Sequence, residues 1–296
     1  MVIEVHSLTK QFGNLKAVHN LSFTAAPGRV TGFLGPNGAG KTTTLRCALA
    51  LIRPTAGQVT FGGRTYSQIK QPAGHIGVTL EASSFHPGRT GLNHLMTMAP
   101  GLGVNKARCL QLLEQVGLGN VGQKRVGQYS MGMRGRLSLA GALLGDPEFL
   151  LLDEPTNGLD PEGIVWVRKL LRSLAAEGRA VVVSSHMLSE VEQAVDDVVV
   201  ISQGRLVHAS SLEQMRQLAL PRNQVVAADP AALATLANQH GWPIVTETDD
   251  SLLFEGPEAK VIGHAAFQAG LELHQLATQR QGLEQLYFAM TEGERS

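Results

Sequence analysis

The run Gly35–Thr43, GPNGAGKTT, constrains this chain more than any other stretch. It matches G-x-x-x-x-G-K-[ST] without a gap. Glycines at such spacing let the backbone wrap a phosphate with its N–H groups turned inward, and the helix that follows adds the positive end of its dipole. The loop needs a strand before it and a helix after it. The sequence supplies both, with apolar Val30–Leu34 ahead and TTLRCALALI, Thr43–Ile52, behind. Gly35, Pro36, Asn37, Gly38, Ala39, Gly40, Lys41, Thr42 and Thr43 therefore form a candidate phosphate cradle. Lys41 is placed to reach the β- and γ-phosphates of a nucleotide, and the Thr42 hydroxyl to take a magnesium position.

Around this loop the pattern is that of an α/β protein. Val2–Val5, Ala17–Phe23 and Gln58–Phe61 read as further strands in the first eighty residues. Residues 82–146 change to helical spacing, as in LNHLMTMA and ARCLQLLEQVGL. Two continuous apolar strands follow, Phe149–Leu152 and Ala180–Ser184, of the kind a parallel sheet buries on both faces. Ile164, Val167, Leu171 and Leu174 mark one face of the helix between them, completing a βαβ unit. The texture changes again near residue 211. Strand Gln224–Ala228, helix Pro230–His240, strands Ile244–Glu247 and Ser251–Glu255, helix Glu258–Ala269 and strand Leu271–Leu276 are expected, then a helix at Leu283–Met290. That βαββαβ order is the split βαβ arrangement of a ferredoxin-like unit.

Two strand ends carry the remaining chemistry. FLLLDEP, residues 149–155, places Asp153 and Glu154 where a buried strand ends. In a P-loop nucleotidase the acidic residue there holds magnesium, which suits Asp153, and Glu154 beside it can polarise an attacking water. His186 closes VVVSSH, at the carboxyl edge where an open α/β sheet places its ligands. A hydrogen bond to a γ-phosphate is its expected role.

Composition excludes little. Lys+Arg and Asp+Glu both total 25, so charge gives no reason to expect nucleic acid or an acidic membrane surface as a partner. Cys47 and Cys109 are two isolated cysteines without zinc-ligand spacing, as expected of buried thiols in a reducing compartment. MVIEVHSLTKQF lacks the apolar centre of a signal peptide, and FLLL and VVVI are far too short to cross a bilayer. Any membrane role must come through a partner.

Taken in order, GPNGAGKTT, SMGMRGR, FLLLDEPTNGLD and SSH resemble the nucleotide-binding subunit of an ABC transporter over roughly residues 1–210. The resemblance implies a P-loop ATPase core with a RecA-like sheet, an antiparallel β subdomain and a helical subdomain at about 82–146. It implies an enzyme that binds ATP with Mg2+ and hydrolyses it. Phe12 matches the aromatic that stacks on adenine, usually a tyrosine, and Val18 the apolar contact to the nucleoside. YSMGM, Tyr129–Met133, occupies the place of the LSGGQ signature, which caps the γ-phosphate held by the P-loop of a second subunit. Ser130 and Gly132 keep its serine and one glycine, while Met131 and Met133 replace the usual glycine and glutamine. Asp160 matches the loop through which two sites communicate. Glu81 stands where the family carries a glutamine that touches magnesium and the coupling interface. A carboxylate there adds negative charge beside the phosphates unless it sits on the metal.

The resemblance further implies a second ATP-binding subunit, identical or related, and an integral membrane permease at the cytoplasmic face of the membrane. The extension at 211–296, with the local style of LEASSFHPGRTGLNHL, is closest to exporters of drugs, antibiotics or cell-surface polymers. The alternative is a soluble ABC ATPase acting on ribosomes or DNA. Its ribosome-acting relatives usually fuse two cassettes, and its DNA-repair relatives insert a long coiled coil. This chain has one P-loop and no sustained heptad run.

Overall fold

The structure is a computed structural model and describes residues 2–80, 85–218, 221–248, 250–280 and 283–292. The chain opens with the hairpin β1 (Ile3–Phe12) and β2 (Leu15–Ala25). It runs through β3 (Arg29–Leu34) into α1 (Lys41–Ala48) and returns in β4 (Ala56–Phe61) along the other edge of β1. The short α2 (Pro72–His75) leads to β5 (Ile76–Thr79) and then to α3 (Gly91–Leu102), α4 (Lys106–Gln115) and α5 (Met131–Ala142). Next come β6 (Phe149–Asp153), α6 (Pro161–Ala176), β7 (Ala180–Ser185), α7 (Leu188–Val191), β8 (Asp197–Ser202) and β9 (Arg205–Ser211).

β5 to β9 and β3 form one six-stranded sheet in the order β5-β6-β7-β3-β8-β9, parallel except for β9 at its edge. Strands covered on both faces need apolar residues at successive positions. The sequence provides them: Phe149–Leu152, Ala180–Val183 and Val198–Ile201 are all buried. β2-β1-β4 make a separate antiparallel sheet. Stacked Phe23 and Phe33, 5.1 Å between centroids, and the edge-to-face pair Phe61 and Phe149 at 5.5 Å lock the two sheets into one core.

The helix after the P-loop differs from its expected span of 43–52. It starts at Lys41 and stops at Ala48, because Ala50 turns into the left-handed region at φ 55°. The loop therefore passes straight into helix, and Lys41 and Thr42 lie in its first turn.

The first compact unit extends to Leu212 and takes the chain back at Met290; the second is Glu213–Ala289. After α8 (Leu212–Leu218), the second unit contains β10 (Pro221–Ala227), α9 (Pro230–His240), β11 (Ile244–Glu247), β12 (Ser251–Glu255), α10 (Ala259–Gln268) and β13 (Leu273–Arg280), and α11 (Leu283–Glu292) closes the described chain. Its sheet is antiparallel in the order β11-β12-β10-β13, the ferredoxin-like arrangement. The first and last strands begin three residues before and two after the expected Gln224 and Leu271. Val225, Leu252 and Phe254 pack under Leu233, Ala237 and Ile262 of the two helices. The turn expected at TETDD includes residue 249, outside the described residues.

The helical segment and the main sheet meet closely at Gly77 in β5. A Cβ there would lie 2.3 Å from the carbonyl oxygen of Ala142 and 2.7 Å from Leu150. Neither backbone nor buried leucine can retreat cheaply. Gly77→Ala is expected to lower unfolding free energy by about 1–3 kcal/mol, read from the denaturant midpoint. An unchanged midpoint would mean that α5 and β5 are not so tightly seated.

Candidate functional site

The strand order decides where the chemistry gathers. β6, β7 and β3 are adjacent and parallel, so their carboxyl ends open on the same edge. Asp153 and Glu154 leave β6, Ser184–His186 leave β7, and Gly35–Lys41 leave β3. Three stretches far apart in sequence meet there.

The loop from β3 is shaped by its closeness to its neighbours. Gly40 has φ 103°, and a Cβ on it would stand 2.4 Å from the carbonyl oxygen of Ala17. Only glycine fits. Gly40 is also the N-cap of α1, and no side chain caps that helix. Its first-turn N–H groups are thus not claimed by a side-chain acceptor, as an anion cradle requires. Asn37 and Gly38 are exposed at the loop tip, Pro36 is half-buried, and Ala39 is buried, its N–H donating to Pro36 at 3.1 Å. Thr43 is half-buried.

Lys41 is 6% exposed, and its ammonium donates to the carbonyls of Gly35 at 2.6 Å and Pro36 at 3.3 Å. Its Nζ lies 3.6 Å from Glu154 Oε1. Burial pushes the Lys41 pKa down, and the charges of Glu154 and Asp153 oppose that shift. A γ-phosphate would answer the same desolvation with a stronger counter-charge.

Thr42 Oγ1 donates to Asp153 Oδ2 at 2.8 Å. A hydroxyl and a carboxylate brought together at the start of α1 are hard oxygen donors of the kind magnesium takes. Mg2+ usually keeps its remaining positions for phosphate and water, so two protein oxygens fit it. Glu81, expected as a further ligand, lies outside the described residues.

Ser184 completes this corner, and the sequence reading had not singled it out. It is fully buried, donates its hydroxyl to Asp153 Oδ1, and accepts the Glu154 N–H at 3.0 Å. Glu154 is left-handed, φ 45°, a conformation costing a non-glycine residue of order 1–3 kcal/mol unless it is held. Ser184 supplies one such hold. Its signal was a serine pair at the end of a wholly apolar strand, where a hydroxyl needs a partner. Glu154 is further bracketed by His186 Nδ1 at 3.5 Å from Oε1 and by the Asn157 amide, which donates to Oε2 at 3.4 Å.

Phe12 is 46% exposed at the end of β1. Lys10 Nζ stands 4.7 Å from its ring centroid while also donating to the Arg53 carbonyl at 2.9 Å. Val18 is fully buried, with its Cγ2 3.4 Å from where a Cβ on Gly40 would stand.

Ser130 caps α5, accepting the Met133 N–H at 3.2 Å. Gly132 faces Leu159, whose Cδ2 would be 3.2 Å from a Cβ, and the Met131 side chain lies over Gly158. The YSMGM segment thus packs on the Gly158–Asp160 loop of its own chain. Among the described residues no hydrogen bond joins Ser130 to residues 35–43. Tyr129 is a buried anchor whose hydroxyl donates to the Val121 carbonyl at 2.8 Å. Asp160 is exposed and caps α6 through the Gly163 N–H at 2.8 Å.

Comparison with known proteins points to one family. A family profile described as ABC transporter matches residues 18–157, and one for a domain of unknown function matches 222–284. A profile described as an AAA domain, putative AbiEii toxin of a type IV toxin–antitoxin system, matches 123–192. The chain is 40% identical to the bacitracin transport ATP-binding protein BcrA of Bacillus licheniformis, over 81% of this chain and 79% of that protein. It is 33% identical to the daunorubicin resistance ATP-binding protein DrrA3 of Streptomyces coeruleorubidus, over 99% and 96%. Among solved structures, an ATP-binding subunit of an ABC transporter has TM-score 0.67 at 24% identity, covering 73% of this chain and 92% of that one. A dimeric ATP-binding cassette bound to ADP and Pi has TM-score 0.64 at 23% identity, covering 71% and 98%. At those identities the likeness concerns the fold.

The close approach at Gly40 yields a direct test. Gly40→Ala forces a methyl into the Ala17 carbonyl and opens the cradle. ATP affinity in equilibrium dialysis is expected to fall about tenfold or more, a penalty of roughly 1–3 kcal/mol from overpacking. Undiminished affinity would mean that the loop does not hold phosphate in this shape.

Proposed function

This chain belongs to the family of ABC transporter ATP-binding proteins and is an ATPase; from that premise we propose that it is the motor subunit of an exporter. In this reading two ATP-binding subunits, identical or related, close around two ATP molecules at the cytoplasmic face of a membrane and drive a separate permease. No helix among the described residues is long and apolar enough to cross a membrane, so the path for the cargo is assigned to the partner. The relatives named for bacitracin transport and daunorubicin resistance support the outward direction.

The observation that carries the reading is the corner formed by Lys41, Thr42, Asp153 and Glu154 around the loop end. Backbone N–H groups at the start of α1 and the Lys41 ammonium bind the phosphates, and Phe12 stacks on the adenine. Thr42 and Asp153 would hold magnesium, which when bound would supply positive charge beside the phosphates. Glu154 orients a water and takes its proton as that oxygen attacks the γ-phosphorus and the bond to the β-phosphate oxygen breaks. His186, beside the same carboxylate, donates to the γ-phosphate. Lys41 releases the Gly35 and Pro36 carbonyls for the phosphate, whose charge repays its burial better.

The exposed faces of Ser130, Gly132 and Asp160 are assigned to the second subunit. Ser130 and the first turn of α5 close the neighbour's γ-phosphate, and Asp160 passes the state of one site to the other. Met131, lying over Gly158, ties these two elements together within each chain. This makes YSMGM a working signature in spite of its methionines.

Glu154→Gln keeps the shape and removes the base. Hydrolysis is expected to fall by about 10²-fold or more, ATP binding to persist, and an ATP-held dimer to accumulate in size-exclusion chromatography. Turnover within twofold of the wild type would remove Glu154 from its role.

A further inference from the structure

We propose that Glu190 is a positioning residue for hydrolysis, fixing the loop between Glu154 and Asp160 to the strand end that carries His186. The inference rests on Glu154 serving as the base.

A single carboxylate oxygen collects both sides of the site. Glu190 Oε2 accepts the Thr156 hydroxyl at 3.0 Å and the Ser185 hydroxyl at 2.9 Å. Thr156 is 2% exposed and lies two residues after Glu154; Ser185 is fully buried and immediately precedes His186. Ser185 has one proton to give and a second acceptor in reach, the Met187 carbonyl at 2.9 Å. The ionised carboxylate is the stronger of the two. Ser185 still accepts the Met187 N–H at 3.0 Å, which shapes the backbone just past His186.

The turn bearing Glu190 is gripped independently. Arg168 of α6 donates Nε to the Glu190 carbonyl and Nη2 to the Ser189 carbonyl, both at 2.9 Å, and Nη1 to the Gln193 side chain at 2.9 Å. α6 is the helix that Asp160 caps. A closed circuit results: Asp160 and α6 hold α7, α7 presents Glu190, and Glu190 holds Thr156 beside Glu154 and Ser185 beside His186. A shift at the Asp160 loop is therefore delivered to the base and to the histidine together. Because Arg168 holds the α7 backbone without the carboxylate, removing that carboxylate frees the two loops while leaving the helix in place.

The test uses the purified full-length chain with magnesium and ATP, turnover being normalised to bound nucleotide so that misfolded protein is not counted. Glu190→Ala is expected to lower kcat about tenfold to 10²-fold, the scale of a misplaced catalytic group, with KM for ATP within about twofold of the wild type. Glu190→Gln, which keeps one acceptor oxygen for both hydroxyls, is expected to restore most of that loss. Thr156→Val cuts only one of the two links and should lower kcat by no more than Glu190→Ala, and the double variant Glu190→Ala/Thr156→Val should be little worse than Glu190→Ala alone, because that substitution already removes the Thr156 link. A wild-type kcat in Glu190→Ala, a loss that Gln does not rescue, or full additivity in the double variant would overturn the inference while leaving the proposed function intact. Absence of turnover in the wild type would instead overturn the reading on which both depend.

Discussion

A buried ammonium must be met by charge or carbonyl oxygen, and this fold is arranged around one. Lys41 lies under the loop from β3, held by two carbonyls of that loop and faced by Glu154. Desolvation makes its charged form costly, and the neighbouring carboxylates offset part of that cost. The rest of the site follows from this residue. Its loop can curl over it only because Gly40 tolerates the Ala17 carbonyl, and its counter-charges arrive because β6 runs parallel to β3 with only β7 between them.

Serines at the end of β7 convert that strand order into chemistry. Ser184 joins the Asp153 carboxylate to the Glu154 amide, and Ser185 shares a carboxylate oxygen with Thr156. Both hydroxyls are buried, so each is obliged to find a partner, and the partners it finds belong to the strand end carrying the acids or to the turn beyond His186. One strand end thus sets the Glu154 backbone and the direction of the Asp153 carboxylate together.

What the sequence disclosed, and what it withheld, divides by distance along the chain. GPNGAGKTT is contiguous, and its glycines, lysine and threonine state their own purpose; the parallel strands announce themselves as unbroken apolar runs, and βαββαβ in the second unit follows from periodicity. Boundaries were less legible. α1 stops at Ala48 because Ala50 turns left-handed, which no propensity foretold for an alanine. That Val18 packs against the Gly40 position is likewise visible only in the fold, which decides which face of β2 is covered. Ser184 and Glu190 were silent because their meaning lies in partners some thirty residues away. The return of the chain to the first unit at Met290 was equally out of reach of local pattern.

The central claim is that each ATP is held between the P-loop of one subunit and the signature segment of another, and a mixed dimer tests it most directly. One chain carries Lys41→Ala and the other Ser130→Arg, each with its own affinity tag so that heterodimers can be isolated. Either homodimer should trap almost no nucleotide. In the heterodimer one site has both lesions while the other pairs an intact P-loop with an intact signature. Occluded ATP, counted after rapid filtration, should therefore return to about one molecule per heterodimer, the stoichiometry of a single shared site. Pairing Lys41→Ala with Asp153→Ala damages the phosphate- and metal-binding side of both sites and should rescue nothing. No occluded ATP in verified heterodimers of the first kind would contradict the account, and would leave YSMGM a structural turn within its own chain.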